Sequence, residues 1–355
     1  MLGPSDFRDL VSGRRRGLGA AIARAALRAC EWPYTVAVGR RNRRFDRGAS
    51  AIMRVAVPVI SVGNITLGGT GKTPTVEWLA RWFAEHGVRV ALVSRGYGSS
   101  HGQPNDEALE LAEKLPGVPH VMDARRVRGA LAAIEQHDCQ LILLDDAFQH
   151  RHLARDLDIV LIDASEPFGY GHVFPRGMLR EPLAGLARAD LMLLTRSQLV
   201  AADSRADIRR EVARHAPTAS WAEADYAARD LRSPTGGRQD LAALAGQPIA
   251  AFCGIGNPAS FRQSLEACDY RIVAMRELPD HFAYQGRDII ELADWAVRNH
   301  AASVVCTRKD LVKIGTRWPI CPPLWALSSQ LQITTGLPEL EARLLRLAAR
   351  AKGVV

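Results

Sequence analysis

The stretch Thr66-Leu67-Gly68-Gly69-Thr70-Gly71-Lys72-Thr73 decides how the rest of the chain is read. It follows the apolar run Val55 to Val62. It precedes a segment, about Lys72 to His86, in which Val76, Leu79, Trp82 and Phe83 recur at helical spacing. A glycine-rich turn between a strand and a helix lets successive backbone N–H groups point at phosphate oxygens, and the helix N-terminus adds partial positive charge. In that setting Lys72 reaches the β and γ phosphates and Thr73 holds Mg²⁺. The full pattern G-x-x-x-x-G-K-[ST] has Gly where this chain has Thr66, but the G-G-x-G-K-T core stands in the required context.

Outward from this turn, short apolar runs alternate with helical patterns. Strands are expected at Val88 to Ser94, Gln140 to Leu144, Asp158 to Ile162 and Leu191 to Thr195. After a polar stretch from Arg229 to Gln239 the alternation resumes, with strands at Pro248 to Cys253, Arg271 to Met275 and Ser303 to Thr307. Helices are expected after Asn257, over Arg287 to Asn299 and over Leu337 to Ala349. Continuous apolar strands alternating with helices predict an α/β fold, a P-loop NTPase-like, mostly parallel sheet with helices on both faces. The expected organisation is a basic N-terminal segment over 1–54, a P-loop domain over 55–228, a linker over 229–239 and a smaller α/β domain over 240–355.

Asp145 and Asp146 end the apolar run Leu141 to Leu144. A carboxylate at the tip of a buried strand beside a phosphate loop is where a nucleotide-bound Mg²⁺ finds a second anchor. Together these features call for ATP or GTP with magnesium. A GTP reader carries N-K-x-D, and Thr307-Arg308-Lys309-Asp310 matches that only loosely, which favours ATP.

The chain carries a formal net charge of +8. The first 54 residues hold twelve arginines against four acids, so the whole excess lies there and the remainder is neutral. Between Leu18 and Leu27 the arginines flank an apolar stretch too short and too interrupted for a signal h-region or a membrane span. A helix over about 17–30 would gather Leu18, Ile22, Ala25, Ala26 and Leu27, suited to an anionic membrane surface. A solvated basic helix or a nucleic-acid arm has the same composition. Six scattered cysteines without a C-x-x-C pair read as reduced thiols.

At this point the chain resembles the tetraacyldisaccharide 4'-kinase (lipid A 4'-kinase) family along nearly its whole length. The resemblance is carried by Val62-Gly63-Asn64-Ile65-Thr66, Ser94-Arg95-Gly96-Tyr97-Gly98, Asn105-Asp106-Glu107 and Asp145-Asp146-Ala147-Phe148-Gln149-His150. Three further segments carry it: Arg176-Gly177-Met178-Leu179-Arg180-Glu181-Pro182, Gly254-Ile255-Gly256-Asn257-Pro258 and Pro279-Asp280-His281. The chain departs from the family pattern at Asn105 and Ala108, at Ala147 and at Phe282, keeping the acids and His281.

The resemblance implies transfer of the γ-phosphoryl group of ATP, with Mg²⁺, to the 4'-hydroxyl of a tetraacyldisaccharide 1-phosphate. This is a step of lipid A biosynthesis at the cytoplasmic face of the inner membrane. It further implies Asp106 as the base that accepts the hydroxyl proton and His281, from the second domain, as the residue that orients it. Lys72, Thr73, Asp145 and Asp146 would handle ATP and Mg²⁺. Glu107, Gln149 and Glu181 would stand behind them, and Arg95, Arg126 and Arg180 would be candidates for phosphate contacts. The rival readings are a P-loop NTPase acting through a protein partner, which leaves Asp106 and His281 unexplained, and a nucleic-acid-binding protein, for which no reader motif is present.

Overall fold

A computed structural model describes residues 4–96, 106–280 and 282–353. In chain order the elements are α1 (Pro4–Val11), α2 (Leu18–Asp46), β1 (Val59–Asn64), α3 (Lys72–Glu85), β2 (Val90–Ser94), α4 (Asp106–Lys114), β3 (His120–Met122) and α5 (Arg126–His137). Then come β4 (Leu141–Asp145), β5 (Leu157–Asp163), β6 (Leu191–Thr195), α6 (Ala202–His215), β7 (Ser220–Arg232), β8 (Arg238–Gln239), β9 (Pro248–Cys253) and α7 (Pro258–Glu266). The chain closes with β10 (Arg271–Glu277), α8 (Gly286–Arg298), β11 (Ser303–Thr307), α9 (Arg308–Ile314), β12 (Leu324–Thr335) and α10 (Leu337–Ala351).

These elements form two compact units, each discontinuous in sequence. The first comprises Met1–Gly96, Gly117–Asp225 and Ile333–Val355. Its strands run in the order β7-β6-β5-β1-β4-β2-β3, every neighbouring pair parallel. All residues of β1, β4 and β6 are buried, so the sheet is covered on both faces, which is why these runs are apolar without alternation. Val76, Leu79 and Phe83 of α3 are fully buried. On α5, Ala130 and Ala133 pack with Ala91, Val93, Ile142 and Leu144, while Ile208 and Val212 of α6 pack with Val160, Ile162, Met192 and Leu194. Parallel strands bring the segments after β1, β2, β4 and β6 to one edge, where ligands bind in folds of this kind.

The second unit takes in α4 and Tyr226–Gln332. Its strands run β10-β9-β11-β12, again parallel. One core packs Phe252, Ile289, Leu292, Val304, Leu311 and Trp318, and a second packs Leu231, Ile249, Phe261, Leu265 and Leu327.

The stretch 229–239, expected as a linker, is the end of β7, a tight turn and β8, paired antiparallel at Leu231–Gln239 and Arg232–Arg238. Its polarity belongs to a hairpin. Asp230 is fully buried there and receives Arg232 at 3.0 Å and Arg238 at 2.9 Å. The helix expected over 17–30 runs to Asp46 through Pro33 and buries only Ala20, Val38 and Phe45. All six cysteines are free.

Candidate active site

The first unit assembles its polar centre from the glycine-rich loop, the end of β4 and the segment around 178–188. Gly71 caps α3 in the left-handed region (φ 91°), where a Cβ would be strained, and no side chain caps the helix. The loop is held by its carbonyls. Thr195 Oγ1 donates to Thr70 at 2.9 Å, Arg196 Nη2 to Gly69 at 3.0 Å and Asn64 Nδ2 to Thr66 at 2.9 Å. The Leu67 amide donates to Met178 O at 2.7 Å, and the Arg180 amide to Ile65 O at 2.7 Å. Carbonyls fixed in this way give the loop the rigid shape that a cradle of backbone N–H groups requires.

Lys72, the first residue of α3, sets its ammonium 3.6 Å from Asp146 Oδ1, and Arg180 Nη1 donates to the same oxygen at 2.7 Å. Burial pushes the Asp146 carboxyl up, but Lys72, Arg180 and Arg126 together outweigh it and hold it below the usual carboxylate range. Asp145 and Thr73, both buried, stand beside this cluster in the chain. A carboxylate and a hydroxyl suit Mg²⁺, which takes one or two protein ligands and fills its shell with phosphate oxygens and water. Among the described residues no group of three or more His, Cys, Asp or Glu gathers around a common point.

A second layer lies behind Arg180, whose Nη1 also donates to Gln149 Oε1 at 3.4 Å. Glu181 is fully buried and accepts Arg188 Nη2 on both oxygens at 2.9 Å, Asn42 Nδ2 at 2.7 Å and Gln149 Nε2 at 3.1 Å. Gln149 also donates to Asn64 O at 2.9 Å, and the Arg188 guanidinium lies 4.4 Å over the Phe148 ring. A buried carboxylate with this many donors is satisfied, and removing one partner would leave charge uncompensated. Arg126 is 2% exposed; burial lowers its pKa, and Asp146 and Asp145 pull the other way. Burial, reinforced by Arg126, His152, Arg155 and Arg95, pushes His150 down to about 4, so its imidazole is neutral at pH 7.

The structure thus brings together Lys72, Asp146, Arg180, Gln149 and Glu181, with Arg126 and Arg95 within electrostatic reach. Asp106 begins α4, but its side chain and that of Glu107 lie outside the described residues, as does His281. The helix α4 groups with the second unit, which also spans position 281, so these two expected partners come from one unit rather than from two. Sequence reading missed Arg188, Asn42, Thr195 and Arg196. The last two had a usable signal, since they sit at the end of a parallel strand on the ligand-binding edge. Arg188 and Asn42 had none, because only the fold carries them to Glu181.

A family model described as tetraacyldisaccharide-1-P 4'-kinase matches residues 23–349. The tetraacyldisaccharide 4'-kinase of Anaeromyxobacter sp. (strain K) is 37% identical over 326 residues, covering 84% of each chain. That of Geobacter sulfurreducens is 36% identical over 338 residues, covering 90% of this chain and 92% of the relative. A crystal structure of the "apo" form of LpxK from Aquifex aeolicus in complex with ATP superposes with a TM-score of 0.71 at 26% identity. It covers 92% of this chain and 99% of that one. The chain belongs to the tetraacyldisaccharide 4'-kinase family.

Proposed function

We propose the following division of labour for this chain, which, as a member of its family, is an ATP-dependent kinase of lipid A biosynthesis. The loop 66–73 holds the phosphates of ATP, Lys72 neutralises charge on the β and γ groups, and Thr73, Asp145 and Asp146 hold Mg²⁺. Mg²⁺ held by these residues would supply charge neutralisation to the phosphate oxygens. Arg126 and Arg180, with Arg95, supply further positive charge to phosphate on ATP or on the lipid. A sugar hydroxyl is a poor nucleophile, and Asp106 accepts its proton while His281 orients the carboxylate. The observation that carries this reading is the helix start at Gly71 and Lys72, uncapped by any side chain and flanked by Asp146.

The test is transfer of labelled γ-phosphate to tetraacyldisaccharide 1-phosphate in detergent micelles. Asp106→Asn and His281→Ala are each expected to lower kcat about a hundredfold with little change in KM for ATP. Rates within a few-fold of wild type would remove these two residues from the mechanism.

The acceptor is a lipid, and α2 suits a membrane surface at the cytoplasmic face of the inner membrane. Leu18, Ile22, Ala25, Ala29 and Trp32 are exposed at helical spacing; Leu18 is 80% and Trp32 73% exposed. Arginines flank that stripe, and among the described residues no helix is long and apolar enough to cross a bilayer. Co-sedimentation with anionic vesicles, weakened by Ile22→Asp with Trp32→Asp, tests this surface. Preferential binding to oligonucleotides would overturn it.

A further inference from the structure

The segment Thr307-Arg308-Lys309-Asp310 has no part in the site described above, yet it holds a fully buried carboxylate of the second unit. Asp310 is 0% exposed. Its oxygens accept the Tyr284 hydroxyl at 2.7 Å, the Thr307 hydroxyl at 2.7 Å and the Gly254 amide at 3.1 and 3.2 Å. These three donors are neutral, and through them the carboxylate organises backbone and side chains. Burial and the charge of Asp310 push the Tyr284 hydroxyl far above its ordinary range, which keeps it a donor.

The residues it grips surround one loop. Gly254 follows β9, whose last residue, Cys253, accepts the Leu278 amide at 2.8 Å. Phe282 donates its amide to Pro279 O at 3.1 Å, and its ring meets Tyr284 edge-on at 5.1 Å. From the same helix α9, Lys313 donates to Phe282 O at 3.4 Å, while Arg317 just beyond it donates to Tyr284 O at 3.2 Å. The chain is thereby held on both sides of position 281.

The neighbouring residue of the motif points elsewhere. Arg308 pairs with Glu113 of α4, and α4 packs against α9. Glu113 lies two helical turns from Asp106, the first residue of α4. One four-residue motif therefore ties down both the helix that begins with Asp106 and the loop that contains position 281, through two residues two positions apart.

We infer that Thr307-Arg308-Lys309-Asp310 is a positioning element for phosphoryl transfer, fixing the α4 helix and the 278–284 loop relative to each other. This inference rests on the roles given above to Asp106 and His281. A geometric error of about 1 Å between catalytic groups can cost about a hundredfold in rate, so a bracket of this kind acts on kcat rather than on nucleotide affinity.

A charge-swap cycle tests it. Arg308→Glu and Glu113→Arg are each expected to lower kcat about tenfold, with KM for ATP and melting temperature nearly unchanged, and the double swap to recover most of the loss. Asp310→Asn, which turns an acceptor oxygen into a donor facing donors, is expected to lower kcat about a hundredfold. Single swaps within twofold of wild type, or a double swap slower than either single, would overturn the bracket. Asp106→Asn separates the two readings. If it is inactive while the swaps are silent, the bracket falls and the base stands. If it is fully active while the swaps lower kcat reciprocally, the bracket stands and the base lies elsewhere on these two segments.

Discussion

Two helices that follow parallel strands begin in opposite ways. At α3 the cap is a left-handed glycine that makes no side-chain cap hydrogen bond, and Lys72 in the first turn lies 3.6 Å from Asp146. At α9 the cap is Thr307, whose hydroxyl accepts the Asp310 amide at 3.3 Å, and Asp310 closes the turn from within. A helix leaves its first N–H groups unsatisfied, so something must answer them. At α9 the chain answers with its own residues, and the result is a fixed corner. At α3 no cap side chain answers them, and this is the end to which we assign the phosphates of ATP. On the division of labour proposed above, the same local architecture serves rigidity in one unit and ligand capture in the other.

The sharpest way to break this contrast is Lys72→Ala. It is expected to lower kcat about a thousandfold, as the loss of a charge on the β and γ phosphates should, while the melting temperature falls little because Asp146 keeps Arg180 as a partner. A rate within tenfold of wild type would mean that the α3 start is not where phosphate is held. Gly71→Ala comes next. The left-handed cap makes a Cβ cost about 1–2 kcal/mol, read as a lower melting temperature and about tenfold weaker ATP binding by calorimetry. Unchanged affinity would show that the loop shape does not matter to the ligand. Thr307→Ala is the matching change at α9, expected to cost about 1 kcal/mol of stability with no effect on ATP affinity. If it weakens ATP binding as much as Gly71→Ala does, the two corners do not differ in kind.

The smallest expected effect is in acid. His150, near the α3 start, protonates at about 4 in the folded chain against an ordinary value of 6.5. The unfolded chain binds that proton first, so the stability this residue contributes is full above pH 6.5 and is lost as pH falls toward 4. At the α9 corner the Tyr284 hydroxyl is pushed up, away from this window. Hydrogen exchange between pH 6.5 and 4.5 should therefore loosen β4 and its following turn before α9, and His150→Gln should remove the difference. Uniform loosening of both regions would count against it.

Much of this architecture was legible in advance, because strands buried on both faces spell themselves out as apolar runs. β6, β9 and β11 fall where Leu191 to Thr195, Pro248 to Cys253 and Ser303 to Thr307 were read. β7 was not legible. Its sequence, Ser-Trp-Ala-Glu-Ala-Asp-Tyr-Ala-Ala-Arg-Asp-Leu-Arg, is rich in alanine and charge, and it becomes a strand through pairing with β6 rather than through propensity. β12 was missed as well, since Ser328, Ser329 and Gln330 interrupt its apolar run. In the site, the loop, Asp146 and Arg180 stood in recognisable motifs, whereas Glu181 drew partners from 139 residues upstream and 7 downstream that no spacing connects.

The last helix completes the first unit. Leu340 and Leu344 of α10 are buried, Arg343 donates to Ser220 Oγ at 2.6 Å, and Arg350 to Asp156 Oδ1 at 3.0 Å. As the chain leaves the ribosome, the first unit must therefore wait for α10, although its glycine-rich loop emerges among the first hundred residues. A protein cut after the second unit would carry every residue named in the active site and still lack the helix that closes the first core.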